Sequence, residues 1–178
     1  MCIRDSYGGM PNVLTKFRWG KHNIKLVLLR QAKREKNIIF GAQAIKKRLG
    51  ISARPTFDYD MFSKTPKKSA FTSEKDLDKW IKSNSFYTKK SKHAGTYRVR
   101  FVGRDLKPRT DDDIGVADYS KVPKPEPKTF TSGGIKYRSL KEELAAKLRA
   151  LRNPQFKLRH PKDREDAVRI KRFLRGRK

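Results

Sequence analysis

The chain has 178 residues and a formal net charge of +28, from 46 Lys and Arg against 18 Asp and Glu, with 35% apolar residues. That length fits one domain with a modest core, and the charge selects polyanions: nucleic acid first, nucleotide phosphates second, an anionic membrane third. No apolar run approaches the ~18 residues that span a bilayer, and the single cysteine, Cys2, excludes an intrachain disulfide and a cysteine metal cage, which suits a reducing cytoplasm.

Residues 1–14, MCIRDSYGGMPNVL, show neither a signal-peptide pattern nor an amphipathic period. The opening MCIRDS resembles a translated sequencing adapter. This segment is expected to be a disordered or non-native leader, with residues 15–178 forming one domain that ends in a basic helix.

From there helices and strands alternate. NIKLVLLRQAKREKN (23–37) reads as a helix, KNIIFG as a short apolar strand ending at Gly41, and AQAIKKRLG as a short helix closed by Gly50. TFDYDMFS (56–63) alternates as a strand does, with Phe57, Tyr59 and Met61 on one side and Asp58 and Asp60 on the other. A helix is expected from Pro66 to Ile81. SFYTKK, GTYRVRFVG and IGVADYS (114–120) read as strands. Asp111, Asp112 and Asp113 between them form a charge run expected in a solvated loop. KVPKPEPK, with three prolines in eight residues, is an extended connector. Ser139 is placed to cap a helix with Leu140, Leu144, Leu148 and Leu151 on one stripe, and a last helix over about 161–174 packs through Ala167, Ile170 and Leu174. The fold class is α/β (α+β): one small mixed sheet flanked by helices, with a helical C-terminal end.

The chemistry concentrates around Asp58 and Asp60. Carboxylates at i and i+2 of a strand share a face and can hold a hard divalent cation. An isolated Asp-x-Asp is more often a solvated strand face, but here a strand, Gly41 and a helix starting at Ala42 come just before it. A glycine turn lets backbone amides approach a phosphate, and the helix N-terminus adds its positive dipole end. Phosphate cradle and carboxylate pair together are what nucleotidyl transfer requires.

The run IIFGAQAIKKRLGISARPTFDYDMFS resembles the signature of nucleotidyltransferase-fold proteins, especially the AbiEii type of abortive-infection and toxin–antitoxin systems. The matching positions are Gly41, Arg54, Thr56, Asp58 and Asp60. IKYRSLKEELAAKLRAL resembles that family's strand, Ser-Leu and helix with a central lysine, here Lys147. RHPKDREDAVRI resembles its closing helix through Arg159, Lys162, Asp163 and Asp166. Position 42 is Ala where the family has Gly or Ser, so a backbone N–H remains and a hydroxyl is missing. The resemblance implies a nucleotidyltransferase-type sheet, Mg²⁺ at Asp58 and Asp60, and Asp118 as third carboxylate. It further implies an NTP donor held by Gly41, Ala42, Arg54, Thr56, Lys147 and Lys162, and an antitoxin partner. The expected reaction moves an NMP from the NTP to an acceptor hydroxyl, with an RNA 3′ end favoured by the charge.

A rival reading keeps the fold without the chemistry, as a basic nucleic-acid-binding protein. Its surface would be Arg98, Arg100, Arg104, Lys107 and Arg109, with Tyr97 and Phe101 for stacking.

Overall fold

A computed structural model describes residues 11–50, 53, 56–103 and 107–176, with side chains from residue 23 onward. The leading decapeptide, Arg54 and Arg104 lie outside the described residues. In chain order the elements are α1 (Pro11–Arg34), β1 (Ile38–Phe40), α2 (Ala42–Leu49), β2 (Tyr59–Ser63), α3 (Pro66–Ile81), β3 (Phe86–Lys90) and β4 (Tyr97–Phe101). β5 (Ile114–Lys121), β6 (Thr129–Ser132), β7 (Ile135–Arg138), α4 (Leu140–Arg152), a 3-10 helix (Pro154–Arg159) and α5 (His160–Arg175) follow. None of the described helices is long and apolar enough to cross a membrane.

The seven strands form one mixed sheet in the order β3-β4-β5-β2-β1-β7-β6. β2 pairs parallel with β5 and antiparallel with β1, and β1 pairs parallel with β7. Strand alternation gives the sheet two unlike faces. On one, Ile39, Tyr59, Met61, Val99, Phe101 and Tyr119 are buried in a core with Ile24 and Leu28 of α1 and Ala70 and Leu77 of α3. A polar link fastens this layer: Gln31 Nε2 donates to the Ser69 carbonyl at 2.6 Å, and Ser73 Oγ donates to Gln31 Oε1 at 2.5 Å. The other face carries Phe40, Asp60, Phe62, Arg98 and Asp118, all only partly buried.

A second, smaller core joins α2 to the helix pair α4 and α5 through Ile45, Leu140 and Ile170, with Leu49, Leu144 and Phe173 against it. Ser139 caps α4 as its position suggests, its side chain accepting from the Glu142 N–H.

Helix α1 extends further toward the N-terminus than expected and stops earlier. Lys36 adopts φ 56°, and the Asn37 N–H donates back to the Ala32 carbonyl, a left-handed terminus that releases the chain into β1. The aspartate run is not all solvated. Asp113 is buried, where its carboxylate accepts the N–H groups of Arg109 (2.8 Å) and Thr110 (3.1 Å) and the Tyr87 hydroxyl. That aspartate is the internal anchor of its loop.

Candidate active site

The acidic residues meet on the partly buried face of the sheet. Register puts Asp60 directly beside Asp118 of β5 on one flank and beside Phe40 of β1 on the other. Arg98 of β4 continues the same rung beyond Asp118, with its Nε 3.0 Å from the Asp118 carboxylate. The four side chains therefore cross the sheet in the order Arg98, Asp118, Asp60, Phe40.

Burial pushes the Asp60 carboxyl up to about 7 from the usual 3.8, and the neighbouring charges of Asp58 and Asp118 add to the rise. Arg159, at the entry to α5, pulls in the opposite direction. Asp118 is also raised by burial, while Arg98 holds it back toward the ionised form. Asp58 is exposed and accepts a 2.6 Å hydrogen bond from the Thr56 hydroxyl. Gln43 of α2 donates to the carbonyls of Thr56 and Asp58, tying the approach to β2 to the helix that follows Gly41.

Gly41 closes the site from above. Its φ is +69°, and a Cβ built there would lie 2.6 Å from Asp60 Oδ2, so the carboxylate occupies space that only glycine leaves open. Replacing Gly41 with Ala combines a disfavoured backbone region with a steric conflict. The expected result is a loss of about 1–3 kcal/mol and a displaced Asp60. Urea unfolding gives the first quantity, and NMR titration of the Asp60 carboxyl gives the second.

The Gly41 N–H was expected to serve a phosphate, and the structure gives it another partner. It donates to Glu143 Oε1 at 2.7 Å. Glu143 is fully buried in α4 and also takes two bonds from Arg138, at 2.7 and 2.6 Å. The Arg138 guanidinium in turn lies 5.0 Å over the Phe40 ring and 5.6 Å from that of Phe62, two rings that stack 3.9 Å apart. Gly41 thus supplies room at the site, and the free first-turn amides begin with Ala42.

Lys147 needs a similar correction. Its Nζ is buried and bound to Asp163 at 2.7 Å and Asp166 at 3.0 Å. This triad fixes α4 against α5, so the lysine is not free to reach a nucleotide, and the pattern shared with Asp163 and Asp166 is a helix clamp. Lys162 stands exposed in the first turn of α5.

The basic stretch along β4 is likewise divided. Arg98 is taken by Asp118, and Arg100 donates to the Asp113 carbonyl at 2.6 Å, holding the loop. Lys107 and Arg109 are exposed, but Phe101 is fully buried and cannot stack on a base. Of the two aromatics expected to stack, Phe101 lies in the core and Tyr97 is half-buried.

Two site residues escaped the sequence reading. Glu143 sits in a run of charged residues that reads as a solvated helix face, and Arg138 ends a strand too short to show its alternation. Arg159, by contrast, stands in the sequence motif but without a role.

A hard cation suits the oxygen donors of Asp58 and Asp60, whose mutual repulsion it would relieve. Among the described residues no group of three His, Cys, Asp or Glu side chains is arranged to hold a metal ion. Asp118, with Arg98 on its carboxylate, lies beside the pair.

No family model and no curated protein matches the sequence. Among solved structures the chain is similar to the Megavirus polyadenylate synthase, with a TM-score of 0.69 at 16% identity, covering 96% of this chain and 39% of that one. JHP933 from Helicobacter pylori gives a TM-score of 0.48 at 12% identity over 78% of this chain and 58% of its own, a likeness too slight to argue from. The chain spans about two-fifths of the polyadenylate synthase, and the likeness is one of fold; the abortive-infection type rests on the sequence motifs alone. In its strand order and helices the chain shares the fold of the part of the polyadenylate synthase that it covers.

Proposed function

We propose that this chain is a nucleotidyl-transferring domain that moves an NMP group from an NTP to an acceptor hydroxyl, an RNA 3′ end being favoured. The observation that carries the reading is the crowding of Asp58, Asp60 and Asp118 beside Gly41, with the Asp60 carboxyl raised to about 7. Placing two carboxylates side by side in one partly buried rung, with a third close by, is unfavourable for the folded chain alone, and perturbed groups of this kind concentrate where chemistry is done.

Asp58 and Asp60 would hold Mg²⁺, which supplies charge neutralisation for the phosphates when bound. The chain's own residues do the rest. The first-turn amides of α2, from Ala42 onward, and Thr56 face the triphosphate end, and Lys162 and Arg159 add positive charge from α5. The acceptor oxygen attacks the α-phosphorus as the bond to the bridging oxygen breaks and pyrophosphate leaves. Asp118, whose ionised form Arg98 favours against the effect of burial, takes the hydroxyl proton. Positioning and electrostatics supply most of the rate.

A second reading has its own support. The Gly41 amide and Lys147 are both committed to internal carboxylates, which removes two of the expected phosphate contacts. A non-catalytic basic protein that binds nucleic acid on this fold is the outcome that follows. A toxin–antitoxin setting would place a partner protein over the site, and co-purification from the native host tests it.

Incubation with each labelled NTP, Mg²⁺ and total RNA separates the two. The catalytic reading expects label on the RNA, dependent on the cation and reduced by about 10²–10³-fold or more in Asp58→Asn/Asp60→Asn. Retained RNA binding with no label from any NTP would establish the second reading.

A further inference from the structure

Away from the acidic rung, where β2 and β5 end, a cavity of about 500 Å³ opens between the start of α3 and the start of β4. Its walls include Lys67, Lys68, Phe71, Gly95, Tyr97 and Lys121. Phe71 is 41% exposed, the three lysines are exposed, and Tyr97 is half-buried. No acidic residue lines it. We infer that this surface binds single-stranded nucleic acid, with the lysines on the phosphates and Phe71 and Tyr97 against the bases.

Two observations favour that occupant. First, Lys67 and Lys68 stand in the first turn of α3, which has no acidic residue and no side-chain cap on Thr65. Cations at a helix N-terminus oppose the dipole, and an anion seated there would reverse the penalty. Second, two aromatic side chains line a cavity edged by lysines. Aromatic platforms beside a cationic groove are how single strands are held without sequence preference. A duplex keeps its bases stacked and offers only its phosphates.

The inference goes beyond the proposed function, because binding here needs no transfer chemistry. The test is therefore run without NTP or Mg²⁺, in the Asp58→Asn/Asp60→Asn background. Fluorescence anisotropy follows a labelled 15-nucleotide oligo(A) RNA as NaCl is raised. Lys67→Glu/Lys68→Glu is expected to weaken binding at least tenfold and to lower the slope of log K against log salt by about one to two. It should fold well, because acidic residues suit that helix position. Phe71→Leu, which keeps apolar bulk and removes the ring, is expected to weaken binding about five- to fiftyfold with the salt slope unchanged.

Lys75→Glu/Lys79→Glu on the same helix makes an identical change in net charge on exposed positions outside the patch. An equal loss in that control would mean that the general positive field binds RNA, and the inference would fall. It would fall also if duplex RNA competed as well as single strand. The same holds if Phe71→Leu bound normally, or if vesicles with anionic lipid, and not RNA, responded to the patch variants. Failure of the labelling assay with these results intact would overturn the chemistry and leave the binding surface standing.

Discussion

Asp58→Asn/Asp60→Asn is expected to melt at a higher temperature than the wild type at pH 8, while losing cation-dependent nucleotide transfer. The sign follows from protonation. An unfolded aspartate titrates near 3.8, and the folded Asp60 near 7. The folded state therefore binds the proton more tightly. Below about pH 4 both states are protonated and Asp60 costs nothing. As pH rises from 4 to 7 the unfolded chain ionises first and the folded chain loses stability, and above 7 the penalty is complete. Three pH units set an upper limit near 4 kcal/mol, and partial exposure reduces the expected gain to about 2–4 kcal/mol.

The variant's advantage should vanish toward pH 4, which separates charge repulsion from a packing effect. Mg²⁺ should raise the wild-type melting temperature at pH 8 and much less at pH 6, where protons compete for Asp60, and should leave the variant unmoved. A variant that melts lower than the wild type at pH 8, with no effect of Mg²⁺ on the wild type, would sink the catalytic assignment. It would identify the pair as structural acceptors instead. Stability given up at a functional site is a common arrangement.

The second large effect is at Glu143. Its carboxylate is fully buried, satisfies the Gly41 N–H and holds Arg138 through two bonds. Glu143→Ala leaves a buried amide unsatisfied and a mostly buried guanidinium without its counter-ion. The expected cost is about 3–5 kcal/mol, or roughly 8–15 °C in melting temperature for a chain of this size. Arg138→Leu together with Glu143→Leu should recover much of the loss, because the uncompensated charge disappears with its partner. Since Glu143 also fixes the Gly41 turn, Glu143→Ala should perturb Asp60 titration by NMR even under conditions where the fold survives. Unchanged titration would show that the turn is held by its own backbone.

The parts of the molecule that were legible in the sequence are those set by local periodicity. TFDYDMFS announced both its strand and the side on which the aspartates lie, because alternation has a period of two. Pro66 and the apolar spacing marked α3, and Ser139 marked the start of α4. The residues that complete the site were not legible, because their roles are set across the fold. Glu143 looks like one charge among several in KEEL, and only the approach of β1 to α4 makes it the partner of Gly41. Lys147 carried a motif position whose meaning depended on which charges α5 would bring, and those turned out to be Asp163 and Asp166. Strand β6 was hidden behind the proline connector, although Gly133 and Gly134 supply the two positive φ values that turn it into β7. Phe101, expected with Tyr97 to stack on bases, instead shares the core side of β4 with Val99.

The pairing of Asp60 with Asp118 has a kinetic side. The two residues are 58 positions apart (118 − 60), and their strands lie parallel, so no hairpin can bring them together. Between them the chain first completes α3 and the β3–β4 hairpin, whose contacts are short in sequence and quick to form. β5 extends that meander by pairing antiparallel with β4, and closure against β2 is a long-range event that must overcome loop entropy. Arg98 is already in register with Asp118 on the meander side. The guanidinium therefore travels with Asp118 as a counter-ion before that carboxylate meets Asp60, so the least favourable encounter in the sheet is deferred to its last seam and arrives partly neutralised.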